Sequence, residues 1–259
     1  MDTLVYSVLF GLGFAGGFFS GLLGIGGGII MVPLLLYIPP AFGLAAMSMK
    51  VVAGITAVQS FVGTISGAAG HNRYRRIHRG LALSVGLPMA IASLAGSIAS
   101  SYVSNELMLM VFAGMALVAA TLMFLPLAES TMDESVQQVE FNRTAAILIG
   151  VVIGGLAGII GQGGAFLYIP ALLYILRVPT RITIGSSLAI GIASSASVLL
   201  GRIGTDQVPW LWATVLVLGV VIGAQLGSML SQYTPKLVLR RILGVVITAS
   251  AARIWWELL

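Results

Sequence analysis

The chain has 259 residues, of which 58% are hydrophobic and only 8% are charged, and it carries a formal net charge of +5. A soluble domain spends about a quarter of its residues on charge, so a water-facing globular protein is excluded and the cations read as membrane topology signals rather than as a nucleic-acid surface. There is no cysteine, which removes disulfides, thiolate metal sites and sulfur-relay chemistry.

Apolar stretches near the 20 residues that cross a bilayer core recur along the whole length. They predict an all-α polytopic membrane protein with lipid as its surroundings and no soluble appendage. The first, 3–23, has no Lys or Arg before it and is expected to be a retained helix rather than a cleaved leader. Next come a short span at 29–38, a long one at 43–70, and further spans at 80–101 and 107–127. The only long polar stretch, 128–143, reads as a solvated cytoplasmic linker. Five further spans follow, at 144–160, 165–176, 182–203, 208–231 and 236–258. The sequon Asn142-Arg143-Thr144 is common by chance and carries no weight.

The two sets of five are copies of each other. An offset of 137 residues aligns Gly17, Gly21, Gly24, Gly26, Gly27, Pro33 and Tyr37 with Gly154, Gly158, Gly161, Gly163, Gly164, Pro170 and Tyr174; ten of the twenty-two positions from Gly17 to Ile38 are identical. The offset continues to Gly54 with Gly191, Ser60 with Ser197 and Gly67 with Gly204. After a six-residue contraction, Gly96, Ser97, Ser100 and Tyr102 match Gly227, Ser228, Ser231 and Tyr233. Composition bias gives scattered Leu and Ile matches, but not a shared order of Gly, Pro, Tyr and Ser. The expected organisation is therefore one repeat at 1–127, the linker, and a second repeat at 144–259.

The strongest cationic cluster, His71 to Arg79, is placed in the cytoplasm by the positive-inside rule. Counting from there puts Arg177, Arg181, Lys236, Arg240 and Arg241 on the same side. The second-half counterpart of the basic turn falls on the opposite side. An odd number of crossings per half predicts two inverted-topology repeats of about five segments each. The second segment of each half spans only about 15–18 Å as helix, so it is either a short crossing or a re-entrant hairpin partner of the first.

Gly24-Ile25-Gly26-Gly27-Gly28 and Gly161-Gln162-Gly163-Gly164-Ala165 interrupt apolar runs. Each glycine costs about 1 kcal/mol relative to alanine in a helix, so both clusters predict broken helices. Backbone unwound at membrane depth must be buried or line a wet cavity. The helix that restarts at Ile29 or Phe166 then offers free N–H groups and a positive dipole end, an anion site made without side chains. For Gly13, Gly17 and Gly21 the better reading is close packing of two helices through small residues. Gly11-x-Gly13-x-x-Gly16 matches the dinucleotide pattern but follows no strand, and no Gly-Lys-Ser/Thr follows a glycine cluster. No cofactor and no metal are expected.

Lys50 lies inside an apolar stretch and reads either as a point charge for an anion or as a lysine snorkelling to the interface. Gln59, nine residues deeper, and Ser60 beside it are candidates for binding substrate oxygens, as are Ser197, the repeat partner of Ser60, and Ser186 and Ser187, which match Met49 and Lys50. The alternative for all of them is bonding between helices. All eight acidic residues fall at ends or in loops, which disfavours a carboxylate proton relay or cation cage and favours an anion pathway. No Ser/His/Asp set or carboxylate pair is placed for catalysis, so an enzyme is not expected.

The motif Gly17-x-x-x-Gly21-x-x-Gly24-Ile25-Gly26-Gly27-Gly28-x-x-x-Val32-Pro33 and its echo from Gly161 to Pro170 resemble the sulfite exporter TauE/SafE family, the toluene sulfonate uptake permeases. The resemblance covers nearly the whole chain. It implies transport of a small sulfur-containing anion, sulfite or an organosulfonate such as sulfoacetate, across the prokaryotic inner membrane. The site would include Gly24, Gly26, Gly27, Gly28, Lys50, Gln59, Ser60, Gly161, Gln162, Gly163, Gly164, Ser186, Ser187 and Ser197, with rocking of the halves alternating access. The same architecture would also suit an anion channel. Gln162 stands where the first motif has Ile25 and Ala165 where it has Gly28, so the two halves need not bind alike. Homo-oligomerisation stays open, because surface that pairs with a second copy looks like surface that faces lipid.

Overall fold

The computed structural model describes residues 2–23, 28–69, 78–124 and 141–231, with 248, 253 and 255 as single positions. These residues form nine α-helices and no strand: α1 (Asp2–Leu23), α2 (Gly28–Ala41), α3 (Met49–Ala69), α4 (Arg79–Ala99), α5 (Asn105–Phe124), α6 (Arg143–Ile160), α7 (Ala165–Tyr174), α8 (Thr180–Ile203) and α9 (Trp210–Ser231). Apolar residues run all round them because the surrounding solvent is hydrocarbon, where a helix satisfies every internal N–H and C=O by itself. Seven are long and apolar enough to cross a membrane, all but α2 and α7. At 14 and 10 residues those two reach only about 21 and 15 Å.

Local chemistry sets several boundaries. The chain after α2 turns through Gly43 (φ +75°), with Phe42 and Gly43 donating to the Pro39 and Pro40 carbonyls. The predicted span 43–70 therefore starts as helix only at Met49. Asn142 has a structural job in this sequon: its side chain accepts from the Ala145 N–H at 3.1 Å and caps α6, which begins inside the stretch expected to be linker. His78 caps α4 in the same way through Nδ1, at 3.0 Å from the Leu81 nitrogen. Residues 71–77, 125–140 and most of the predicted 236–258 span lie outside the described residues.

The helices pair across the two halves of the sequence. α1 packs most extensively on α9, and α4 on α6 and α8, while α3 packs on both α8 and α9. The α1–α9 seam is made by glycines. A Cβ at Gly13, Gly17 or Gly21 would sit 2.1, 2.5 or 2.1 Å from the Leu216, Val220 and Ala224 carbonyl oxygens. Gly219, Gly223 and Gly227 answer from α9 against Phe10, Phe14 and Phe18. Residue numbers rise together along this seam, so α1 and α9 run parallel. The α4–α6 seam repeats the device, with Gly150, Gly154 and Gly158 against Val85, Met89 and Ser93, again in parallel. Small residues let backbones meet where no hydrophobic drive exists between helices. Phe112 of α5 lies against Phe166 of α7 with ring centroids 6.4 Å apart, and Arg253 lies over the Tyr37 ring of α2 at 5.3 Å.

Candidate functional site

The break between α6 and α7 is built by two left-handed glycines. Gly161 (φ +76°) ends α6 with its N–H on the Ala157 and Gly158 carbonyls, and Gly164 (φ +68°) starts α7. Gly161 is pressed so closely on α3 that a Cβ would lie 2.0 Å from the Ala53 oxygen, and its own carbonyl accepts from Thr56 Oγ1 at 3.2 Å. The chain then doubles back, placing Gly164 beside Met89 in the middle of α4 and beside Ala157 and Ile153 of α6. α7 thus starts half-way along its neighbours.

A cavity opens at that point. Its wall is Gly28 of α2, Ser60 and Thr64 of α3, residues 162–166, and Gly191 of α8, so both short helices and both halves of the chain contribute. Ser60 is the twelfth of 21 residues in α3 and Gly191 the twelfth of 24 in α8, which sets the cavity at mid-depth. It is closed to about 10 Å³, room for about one water. The first backbone N–H groups of α7 have no intrahelical carbonyl to reach. No described residue accepts from the amides of Gly163, Gly164, Ala165 or Phe166. The Ser60 hydroxyl has no bonding partner among the described residues either, whereas Thr64 Oγ1 donates to the Ser60 carbonyl at 2.6 Å.

Gln162 spans the cavity. It is 1% exposed, and its Nε2 donates to the Gly28 carbonyl at 2.8 Å, joining the break to the start of α2. Its Oε1 is buried and has no partner among the described residues.

The opposite end of the break is neutralised. Arg202, fully buried in α8, donates through Nη2 to the Gly158 and Ile159 carbonyls at 3.2 and 2.7 Å, and through Nη1 to Gln207 Oε1. A cation on the last carbonyls of α6 offsets the negative end of that helix. The positive start of α7 has no such counter-charge among the described residues, so the field of the break falls on the cavity.

Of the residues expected at the site, Gly28, Ser60, Gln162, Gly163 and Gly164 come together in this wall. Gly24, Gly26 and Gly27 lie outside the described residues. Gln59 is buried one residue from Ser60 but is not part of the wall. Gly161 packs on α3 beneath it. Lys50 is not brought there: its Nζ donates to the Ser101 carbonyl at 3.0 Å, just past the end of α4, and its N–H to Asn105 Oδ1. Ser186 accepts from the His78 N–H at 3.1 Å, and Ser187 donates back to Ile184 while its carbonyl takes the Tyr168 hydroxyl at 2.7 Å. Ser197 is half-buried on α8, away from the wall. Ala165 and Phe166, the end of the expected break and the expected restart of the helix, also line the wall, whereas sequence reasoning did not single out Thr64 or Gly191 as site residues. The signals were present, since Thr64 is one helical turn beyond Ser60 and Gly191 is the repeat partner of Gly54. Arg202 was not among the expected site residues, and nothing in the sequence shows that it caps α6.

Comparison with known proteins gives a consistent picture. The family model for the sulfite exporter TauE/SafE matches residues 9–254. A probable membrane transporter protein of Xylella fastidiosa (strain Temecula1) is 28% identical over 252 residues, covering 96% of this chain and 95% of the relative. The probable membrane transporter protein YunE of Bacillus subtilis is 23% identical over 271 residues, covering 97% and 98%. One from Methanocaldococcus jannaschii is 23% identical over 257 residues, covering 94% of each. No solved structure matches the chain significantly.

Proposed function

The chain belongs to the sulfite exporter TauE/SafE family and is a multi-pass membrane transporter rather than an enzyme, and from that premise we propose that it carries a small sulfur-containing anion, sulfite or an organosulfonate such as sulfoacetate, across the prokaryotic inner membrane by alternating access. The observation that carries this reading is the start of α7, where four amide N–H groups without partners among the described residues and the Ser60 hydroxyl share the wall at mid-depth. Donors fixed by backbone geometry and a helix dipole suit an oxyanion. Acidic side chains, which a cation site would need, are absent from the wall among the described residues.

Inverted repeats are part of the proposal. The parallel seams α1–α9 and α4–α6 support it. The 137-residue register equates α1 with α6, and the later offset equates α4 with α9. Each first helix therefore packs on the fourth helix of the other half, as a two-fold relation in the membrane plane requires. A cavity shared by the two halves and closed to about one water supports a carrier over an open channel, because sulfite cannot enter without a movement of the walls.

Flux into proteoliposomes tests it. Radiolabelled sulfite or sulfoacetate uptake should saturate and should be accelerated by unlabelled substrate inside. Linear flux without trans-stimulation would indicate a channel. Vesicles tight to every sulfur oxyanion would remove the substrate assignment.

A further inference from the structure

The wall of the cavity contains one feature that an all-acceptor anion does not use. Gln162 Oε1 is a buried acceptor without a partner among the described residues, on a residue 1% exposed that lines the wall together with residues 163–166. Leaving such an atom unbonded is costly, and a sulfonate, whose three oxygens are all acceptors, cannot satisfy it. Its own nitrogen is already committed to Gly28, so the oxygen is the part of Gln162 left for a ligand.

The charge of the site points the same way. A helix N-terminus is equivalent to roughly half an elementary charge. With α7 beginning in the cavity and α2 beginning at Gly28 in its wall, the backbone supplies no more than about one positive charge. Among the described side chains, full cations do not add to it. Among the charged and titratable residues of the elements around Gln162, Arg202 is held by the α6 carbonyls, Lys50 by Ser101, and Tyr168 by the Ser187 carbonyl. Arg181 is the second residue of α8. Tyr37 and Tyr174 lie in the second halves of α2 and α7, while Arg143, Arg79 and His78 lie at the starts of α6 and α4; none of these five is in the wall. A dianion would leave one charge uncompensated in a dry site, which is far less favourable than binding a monoanion.

We infer that the cavity selects a singly charged oxyanion that still carries a proton, with the α7 amides and Ser60 donating to its bare oxygens and Gln162 Oε1 accepting from its proton-bearing group. This rests on the anion-carrier reading above and deepens it: hydrogen sulfite is the form bound, in preference to the sulfite dianion and to a simple sulfonate. In the closed cavity this oxygen is out of reach of solvent, and the ligand meets it when the halves separate.

Calorimetric titration of the purified full-length protein with sulfite, methanesulfonate and sulfate, at constant ionic strength across the second ionisation of sulfurous acid, tests the inference. Affinity for total sulfite should fall about tenfold per pH unit above that ionisation, because one proton is taken up with the ligand. Affinity for methanesulfonate, whose charge is fixed, should stay level and weaker, and sulfate should bind weakest. Gln162→Met should lower the preference for hydrogen sulfite over methanesulfonate about tenfold. Sulfite affinity that is level or rises with pH, or sulfate binding as tightly as sulfite, would overturn the inference while leaving an anion carrier standing. So would methanesulfonate binding more tightly than hydrogen sulfite. Silence from all three anions would instead defeat the carrier reading on which it rests. The wild-type titrations decide the matter even if the Gln162 variant fails to fold.

Discussion

Replacing the glycines of the break one at a time separates their roles, because the structure assigns each a different cost. Gly161→Ala forces a Cβ into left-handed backbone, at about 1–2 kcal/mol. It also drives that carbon to 2.0 Å from the Ala53 carbonyl oxygen, which the rigid α3 backbone can relieve only by moving, for about another 1–3 kcal/mol. The expected loss is about 2–5 kcal/mol. Gly164→Ala meets the same backbone penalty but only side-chain atoms, the nearest being Met89 Cε at 2.9 Å, so its loss should be about 1–2 kcal/mol. Gly163→Ala has ordinary backbone, and its nearest neighbour is Ser195 Cβ at 3.4 Å. It should leave stability within about 1 kcal/mol of wild type while reducing anion flux, since Gly163 is in the cavity wall. Gly155→Ala is the control: it lies inside α6 with nothing within 4 Å and should gain about 1 kcal/mol. Reversible denaturation in mixed micelles, followed by tryptophan fluorescence, gives the four values on one scale. If Gly161→Ala unfolds at the same point as Gly155→Ala, the left-handed cap and its contact with α3 are not formed as described. If Gly163→Ala transports normally, the cavity is not on the substrate path.

Arg202→Met should destabilise the protein by about 2–4 kcal/mol, because the Ile159 carbonyl loses its donor at a buried helix end; micelle denaturation against wild type measures it, and no change would mean that water replaces the guanidinium. Tyr168→Phe removes the bond to the Ser187 carbonyl and should cost about 1–2 kcal/mol in the same assay, with little effect on anion affinity. Lys50→Ala should leave the dissociation constant for sulfite within about twofold of wild type, since its ammonium is held at Ser101 rather than in the cavity wall; a tenfold loss by calorimetry would return Lys50 to the site.

The sequence by itself determined that this is a helical membrane protein. Composition leaves no residues for a wet surface, and the span lengths follow from bilayer thickness. It also located the broken helix between α6 and α7. Three glycines within four residues weaken a helix wherever they occur, so Gly161, Gly163 and Gly164 could be assigned locally. Five of the expected site residues, Gly28, Ser60, Gln162, Gly163 and Gly164, share the cavity wall. What the sequence could not decide is which polar group faces which helix. Lys50 and Arg202 are both cations near helix ends, and their local sequences are compatible equally with substrate, headgroup or carbonyl partners. Only the tertiary structure shows Lys50 on Ser101, Arg202 on the end of α6, and Ser186 on the start of α4. The same holds for the glycine stripe at Gly13, Gly17 and Gly21. Its spacing announces a close helix partner, but every long helix here is apolar and several carry small residues, so nothing local selects α9. That selection needs the complementary stripe at Gly219, Gly223 and Gly227 to meet it in register. It arises from packing between segments some two hundred residues apart, which no local pattern encodes.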